Sequence, residues 1–399
     1  MSVMVIQMGA RRNYIYAQQL EKAGLLHSLV TGLAWPSHRI SAGARFLSRL
    51  SPRFAGAIAR RSVAEVPPEK IKSSFLPQLV HRSLFFKDME ERFIAEDETL
   101  ALLCKIRGIQ GAKVVVNYIG NGGSFLEEAK RGGAKIATDF ICMPTVLEIE
   151  EEEGRRWPGW GATSISHAAR DLFKARIRRL LTISDIYLCP SLSVAGDLGT
   201  FAEFRPERVR LTPYGAGGFA SPMVAPKPGR VLFAGACLPR KGLPYLGLAA
   251  TLLRKSSTDI KIVAAGEVSP VVPKQPEVAD ITFLGKLDRI GMQAELAQAD
   301  VFCLPSLTEG SSSAVFEALA CGLPVVTTAS SGSVVADGVD GFIVPERDPF
   351  ALSDALRMIV EDRALRARMS QAALAKAEQY SDEACGAAFV AVMRELLEA

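Results

Sequence analysis

Two carboxylates bracket a run of serines in SLTEGSSSAVFEALACGLPVVTT (Ser306 to Thr328): Glu309 stands before the run and Glu317 after it. The first free N–H groups of a helix attract anions, whereas a carboxylate repels them. If a helix opens at the serines, Gly310, Ser311, Ser312 and Ser313 offer backbone and hydroxyl donors with no bulky side chain in the way. That is an anion site of phosphate size. Glu317 then lies in the first or second turn, where its work would be to accept hydrogen bonds from neutral hydroxyls such as a ribose diol. Glu309 would face the group beyond the phosphates. The arrangement suits a nucleotide sugar. A capping role for Glu317 fits poorly, because a capping box needs Ser or Thr three residues earlier and Ala314 stands there. A favourable interaction with the helix dipole, roughly 0.3–1 kcal/mol, remains the structural alternative.

A second charged stretch is FAGACLPRKG, Phe233 to Gly242. Arg240 and Lys241 sit side by side after a strand-like run, with Gly242 free to turn the chain. Guanidinium and ammonium groups there would neutralise a diphosphate as it leaves; solvated surface charges are the alternative. Near the start, MGARRNYIYAQQLEKAG puts Gly9, Arg11, Arg12, Asn13 and Tyr14 in a loop after the first strand, as crevice candidates or as loop packing. Asn117 and Asp139, each at a strand end, are weaker candidates. None of the four histidines, His27, His38, His81 and His167, has partners that suggest a triad or a metal centre. The acidic run EIEEEEGRRWPGW lacks spaced ligands and reads as a solvated helix end before a tryptophan turn. No metal is expected.

Positioning these residues needs strands whose carboxyl ends share one crevice. Short apolar runs alternate with helical patterns throughout, the signature of strand-helix-strand units and parallel sheets. VMVIQMG, KVVVNYIG, AKIATDF and IYLCPS read as strands in the first half. RVLFAGA, DIKIVAAG, DITFLG, DVFCLPS, LPVVTT and GFIVP do so in the second. TPYGAGGFASPMVAPKPGR, dense in Gly and Pro, separates the two series as a linker and hinge. With 399 residues, two domains are expected: residues 1–213 as an acceptor-side domain and 214–383 as a nucleotide-sugar domain, with a helix over about 384–399 packing back on the first. Both read as α/β, Rossmann-like, doubly wound parallel sheets facing across a cleft, where such folds bind ligands.

The hydrophobic content of 48% and charged content of 23% describe a well-buried chain. Its seven cysteines are scattered and never form C-x-x-C, which points to reduced thiols in a cytosol. MSVMVIQMG lacks a basic leader and reads as a first strand; no apolar run approaches the length of a membrane span. The net charge of +4 hides about +8 in residues 1–214 and about −4 beyond them. The early surplus concentrates in SHRISAGARFLSRLSPRFAGAIARR and VHRSLFFKDMEERF, where basic and apolar residues alternate at helical spacing. Such stretches suit an anionic membrane surface on the inner face, or else surface helices packed on their own domain. No nucleic-acid motif accompanies the charge.

Together, FAGACLPRKG, ITFLGKLDRIGMQAELAQADVFCLPSLTEGSSSAVFEALACGLPVVTT and SGSVVADGVDGFIVPERDP, covering about Arg230 to Pro349, resemble the nucleotide-binding domain of glycosyltransferase family 4, retaining enzymes of the GT-B fold. The resemblance implies a UDP- or GDP-sugar donor, with Glu317 on the ribose, Lys241 on the diphosphate and Glu309 near the sugar. It also implies no cofactor, and hexose transfer to a saccharide or lipid-linked acceptor in cell-surface polysaccharide or glycolipid synthesis. One departure stands out: many members carry arginine where this chain has Ala236, a charge Arg240 could replace. Two other activities share the architecture, a nucleotide-sugar epimerase or phosphorylase and a non-catalytic nucleotide-sugar-binding protein.

Overall fold

The computed structural model describes residues 2–36, 61–81, 89–107, 111–161, 165–217, 226–256 and 259–398. Two parallel sheets organise them. The first holds β1 (Val3–Gln7), β2 (Leu26–Thr31), β3 (Ile71–Ser73), β4 (Val114–Tyr118), β5 (Lys135–Asp139), β6 (Ile186–Cys189) and β7 (Val209–Leu211) in the order β3-β2-β1-β4-β5-β6-β7. The second holds β8 (Arg230–Ala234), β9 (Lys261–Ala265), β10 (Ile281–Gly285), β11 (Val301–Leu304), β12 (Val325–Thr327) and β13 (Gly341–Ile343) in the order β10-β9-β8-β11-β12-β13. In each, the winding reverses once, beside β1 and beside β8, and ligands of doubly wound sheets bind outside the carboxyl ends at that point. The expected α/β architecture is present. β1, β4 and β11 are buried along their whole length, which is why they read as unbroken apolar runs rather than alternating ones.

The helices are α1 (Ile15–Lys22), α2 (Leu76–His81), α3 (Met89–Arg107), α4 (Phe125–Arg131), α5 (Val146–Arg156), α6 (His167–Ile183), α7 (Leu192–Leu198), α8 (Leu243–Lys255), α9 (Arg289–Gln298), α10 (Ser313–Ala320), α11 (Pro349–Glu361), α12 (Arg363–Gln379) and α13 (Asp382–Glu398). Asp288, Asp348 and Asp362 cap α9, α11 and α12 by accepting from backbone N–H groups of the first turn. Ser312, at the same position before α10, makes no such bond. The donors opening α10 therefore lack the side-chain partner that the other three helices have.

Two segments cross between the halves. Helix α13 lies on the first domain, where Phe389 stacks on Tyr16 with ring centroids 3.9 Å apart. Conversely, Trp160, which follows α5, is 2% exposed and packs in the core of the second domain with Phe233, Tyr245 and Val278. The acidic run on α5 is not a solvated end, which corrects the expectation. Glu153 is 1% exposed; it accepts from Tyr245 (2.8 Å), the Trp157 indole (3.1 Å) and the Arg347 guanidinium (2.8 Å). Those donors replace the water that burial removes. Arg347 also binds Glu152 at 2.9 Å.

The basic, apolar stretch over residues 37–60 and the middle of the second, 82–88, lie outside the described residues, as does His38. Among the described residues, no helix is long and apolar enough to cross a membrane.

Candidate active site

Two loops at the carboxyl ends of β8 and β11 form the centre of the site. After β8 the chain makes a short 3₁₀ turn, Pro239–Lys241, and Gly242 follows with φ +75°. A Cβ on Gly242 would stand 2.0 Å from the Pro305 carbonyl oxygen, so only glycine allows the two loops to touch. Leu307 N–H donates to the Arg240 carbonyl at 2.8 Å, fastening them together. This contact brings Lys241 onto Glu309 as an ion pair whose side chains are 14% and 13% exposed. The Ser306 hydroxyl donates to the same Glu309 oxygen at 3.1 Å. Burial pulls the Lys241 pKa below the ordinary lysine value, and Glu309 opposes that shift.

Beyond Glu309 the loop meets the first domain. A Cβ on Gly310 would lie 1.9 Å from the Ile141 carbonyl oxygen, and a Cβ on Gly332 would lie 2.3 Å from the Gly310 carbonyl oxygen. Ser193, on α7, donates to the Ala329 carbonyl at 2.7 Å. Ser311 and Ser312 are 8% and 6% exposed; Ser313 is exposed. The start of α10 thus faces the crevice as expected, but it does not stand open: the chain after β5 lies over Gly310. The hydroxyls of Ser311 and Thr308 are buried and form no hydrogen bond among the described residues. One turn on, Glu317 is partly buried; desolvation raises its pKa to about 7, with Arg289 opposing.

Gly310 supplies a prediction of its own. In Gly310→Ala the added methyl collides with backbone rather than with a flexible side chain, so the two domains must separate locally. Turnover is expected to fall about 10-fold from misplacement across the crevice, while affinity for a nucleotide, which the family resemblance would put on the second domain, is expected to stay within about two-fold. Parallel calorimetry and product-release assays on one preparation check this.

The cations divide differently from the expectation. Arg240 forms an ion pair with Glu150 of α5 at 2.7 Å, so its guanidinium is held by a carboxylate of the segment that crosses from the first domain. The side chain expected to replace the arginine absent at Ala236 is thus paired with a carboxylate, as Lys241 is with Glu309. Arg11 is exposed. Its carbonyl and that of Gly9 accept from the Gln7 amide at 2.8 and 3.0 Å, which ties the loop back to β1. Arg12, Asn13 and Tyr14 follow with φ of 47°, 50° and 62°; three consecutive non-glycine residues in the left-handed region carry strain of the kind that clusters at ligand sites. The Arg12 guanidinium lies 4.2 Å from the centre of the Tyr214 ring, fixing the loop to the interdomain connection.

Of the weaker candidates, Asn117 is fully occupied. It accepts from Thr138 at 2.8 Å and donates to the carbonyls of Tyr118 and Asn121, which makes it a structural tie between β4 and β5. Asp139 is different: it is wholly buried, accepts from Tyr16 at 2.9 Å, and burial raises its carboxyl to about 6 against the opposing influence of Tyr16, Arg11 and Arg12. Glu150, Tyr16, Tyr118 and Tyr214 were not singled out in the sequence. Their only signal is polar or aromatic type, which names no partner.

Residues 228–362 match the family described as Glycosyl transferases group 1. Phosphatidyl-myo-inositol mannosyltransferase of Mycobacterium leprae is 32% identical over 148 residues, which is 36% of this chain and 40% of that protein. MMP alpha-(1->4)-mannosyltransferase of Mycolicibacterium hassiacum is 28% identical over 240 residues, 55% of this chain and 54% of its own. The chain thus spans about half the length of these relatives, or less. Among solved structures, sucrose-phosphate synthase from Thermosynechococcus elongatus has a TM-score of 0.69 at 16% identity, covering 100% of this chain and 99% of that one. Anabaena Alr3699/HepE, in complex with UDP and glucose, has a TM-score of 0.61 at 14% identity, covering 99% and 100%. At these identities the likeness is one of fold, and the fold is GT-B.

Proposed function

We propose, on the premise that residues 228–362 are a domain of the glycosyl transferases group 1 family, that the protein is a retaining hexosyltransferase of glycosyltransferase family 4. It takes a UDP- or GDP-sugar and passes the hexose to a saccharide or lipid-linked acceptor in cell-surface polysaccharide or glycolipid synthesis. The observation that carries the reading is the Lys241–Glu309 pair set directly before the crevice-facing start of α10. An ammonium has three donors, and Glu309 takes one direction, leaving others for phosphate oxygens. Relatives support the acceptor class: the phosphatidyl-myo-inositol mannosyltransferase, and a Campylobacter jejuni transferase named for a diphospho-undecaprenol acceptor, 27% identical over 160 residues. The solved complex of Alr3699/HepE with UDP and glucose supports the donor class.

In this reading the leaving diphosphate gains charge as the anomeric bond stretches. Lys241, the opening N–H groups of α10 and the Ser311 and Ser312 hydroxyls stabilise it most in the transition state. Gly9 and Arg11 meet the donor from the first domain. Glu317 holds the ribose diol, and Glu309 orients the hexose while balancing Lys241. Apposition of the domains excludes water and suppresses hydrolysis. No metal or cofactor enters. The enzyme works in the cytoplasm, at the inner membrane face.

The test is a panel of UDP-, GDP- and dTDP-sugars, read by thermal shift and by nucleotide release with and without a lipid extract. Acceptor-dependent release from one donor is expected. Binding with no release in any mixture would instead mark a non-catalytic nucleotide-sugar-binding protein, and consumption of inorganic phosphate or donor isomerisation an epimerase or phosphorylase.

A further inference from the structure

The wholly buried Asp139 stands at the end of β5, two residues before the Ile141 carbonyl that meets Gly310 across the crevice. One of its oxygens, Oδ2, accepts from the Tyr16 hydroxyl at 2.9 Å; the other, Oδ1, is buried and makes no such bond among the described residues, although the Tyr214 hydroxyl, buried and likewise without a partner, also favours the charged carboxylate as a hydrogen-bonding neighbour. A buried carboxyl oxygen without a donor costs free energy unless something brings one to it. The groups that face this carboxyl come from several elements. They are Arg11 and Arg12 from the loop after β1, Tyr16 on α1, Tyr118 at the end of β4, Cys142 after β5, Cys189 on β6 and Tyr214 in the interdomain connection.

Tyr16 itself is held firmly. Its ring stacks between Tyr118, with centroids 5.6 Å apart and planes 15° from parallel, and Phe389 at 3.9 Å and 9°. Phe389 comes from α13, the last helix of the chain, and Gly386 on the same helix packs so closely on Gln19 that a Cβ there would lie 2.4 Å from its amide carbon. The Tyr16 hydroxyl is thereby aimed at Oδ2 by packing from both ends of the sequence, and its bond fixes which oxygen remains.

We propose that Tyr16 is a positioning residue that sets the orientation of Asp139, leaving Oδ1 to accept a hydroxyl of the sugar or acceptor in the crevice. The proposal rests on the reading of the crevice as a transferase site, and its test separates the two. Tyr16→Phe keeps the stacked ring and removes only the donor; Asp139→Asn removes the titration. Both are made in the full chain and compared with the parent by thermal midpoint over pH 4–8. Nucleotide release from UDP-glucose and GDP-mannose is followed over the same range.

A buried acid whose folded pKa lies above its unfolded value of 3.8 holds a proton that the unfolded chain has lost, so stability falls as pH rises from about 4 through about 6. That fall is expected in the parent, shallower in Asp139→Asn, where Asp97 and Glu317 still contribute, and with the Asp139 part displaced upward by about one pH unit in Tyr16→Phe, because a hydrogen bond to the charged form has been removed. The acid limb of nucleotide release is expected to move by the same interval. A Tyr16→Phe stability profile superimposed on the parent's overturns the role of Tyr16. Undiminished release by Asp139→Asn overturns the placement of Asp139 in the reaction, whatever the stability profiles show. Should Tyr16→Phe fail to fold, Phe389→Leu keeps the hydroxyl but loosens its stack, and an unmoved profile there has the same consequence.

Discussion

Lys241→Met is expected to lower turnover about 10²–10³-fold, the range found when one preorganised donor to a developing negative charge is removed, while the protein remains folded. The size follows from how few cations this reading brings to the diphosphate, Lys241 from the second domain and the exposed Arg11 from the first. Arg240 is paired with Glu150, Ala236 replaces the arginine that the family resemblance predicts, and Arg12 is spent on Tyr214. Lys241 is placed by the contact of Gly242 with Pro305, so its ammonium does not need to search for the diphosphate. The substitution also strands Glu309, a side chain 13% exposed, and leaving a charged group unpaired there costs about 1–3 kcal/mol or somewhat more. The double variant Lys241→Met, Glu309→Gln removes both charges and separates these effects. Its thermal midpoint is expected to recover towards the parent while its turnover does not. Recovery of turnover together with stability would show that Lys241 matters only as the partner of Glu309, and would remove it from the reaction.

How much of this could be read from the sequence depends on whether a residue's role is set by its neighbours in the chain or by distant ones. β1, β4, β5 and β6, and β8, β9, β11 and β12 of the second sheet, announce themselves as buried apolar runs, because both faces are covered and no alternation is needed; the outer strands β10 and β13 are only partly buried and are legible by their short apolar runs alone. β2 does not, since LHSLVT carries a buried serine, Ser28, at 3% exposure; β3 and β7 are three-residue outer strands too short for any period. The Glu309–Gly310–Ser311 loop was legible because the donors of a helix start and the small residues around it lie within a few positions of one another. What covers that loop was not. Ile141 lies roughly 170 positions away, and nothing in its type marks a carbonyl oxygen as the roof of a site. The acidic run on α5 misled for the same reason: four consecutive glutamates look solvated, and only the fold brings Tyr245 and Arg347 to Glu153.

Glu317→Gln carries the second large effect, because it changes affinity and stability in opposite directions. Two hydroxyls of a ribose donating to an ionised carboxylate contribute roughly 1.5–3 kcal/mol each in favourable geometry. A neutral amide that can present only one acceptor oxygen to them is expected to weaken nucleotide binding about 100-fold. The carboxyl of Glu317 has a folded pKa of about 7 against 4.5 unfolded, with desolvation as the main cause. A raised folded pKa in an acid means that the charged form is disfavoured by the fold. The penalty is absent below about pH 4.5, grows as pH rises through about 7, and is fully present above it. Removing the charge is therefore expected to stabilise the unliganded protein at pH 8, by on the order of 2 kcal/mol, and to change nothing at pH 4. In the parent, ligand hydroxyls favour the charged form, so UDP or GDP affinity should rise with pH up to about 7 and each binding event below that should release a fraction of a proton. Calorimetry in two buffers of different ionisation enthalpy measures that proton directly. A parent whose nucleotide affinity is flat from pH 5.5 to 8, or a Glu317→Gln protein that binds as tightly as the parent, would mean that the carboxylate serves the helix rather than the ribose. The same result would leave Lys241 and the opening of α10 to hold the donor by its phosphates alone.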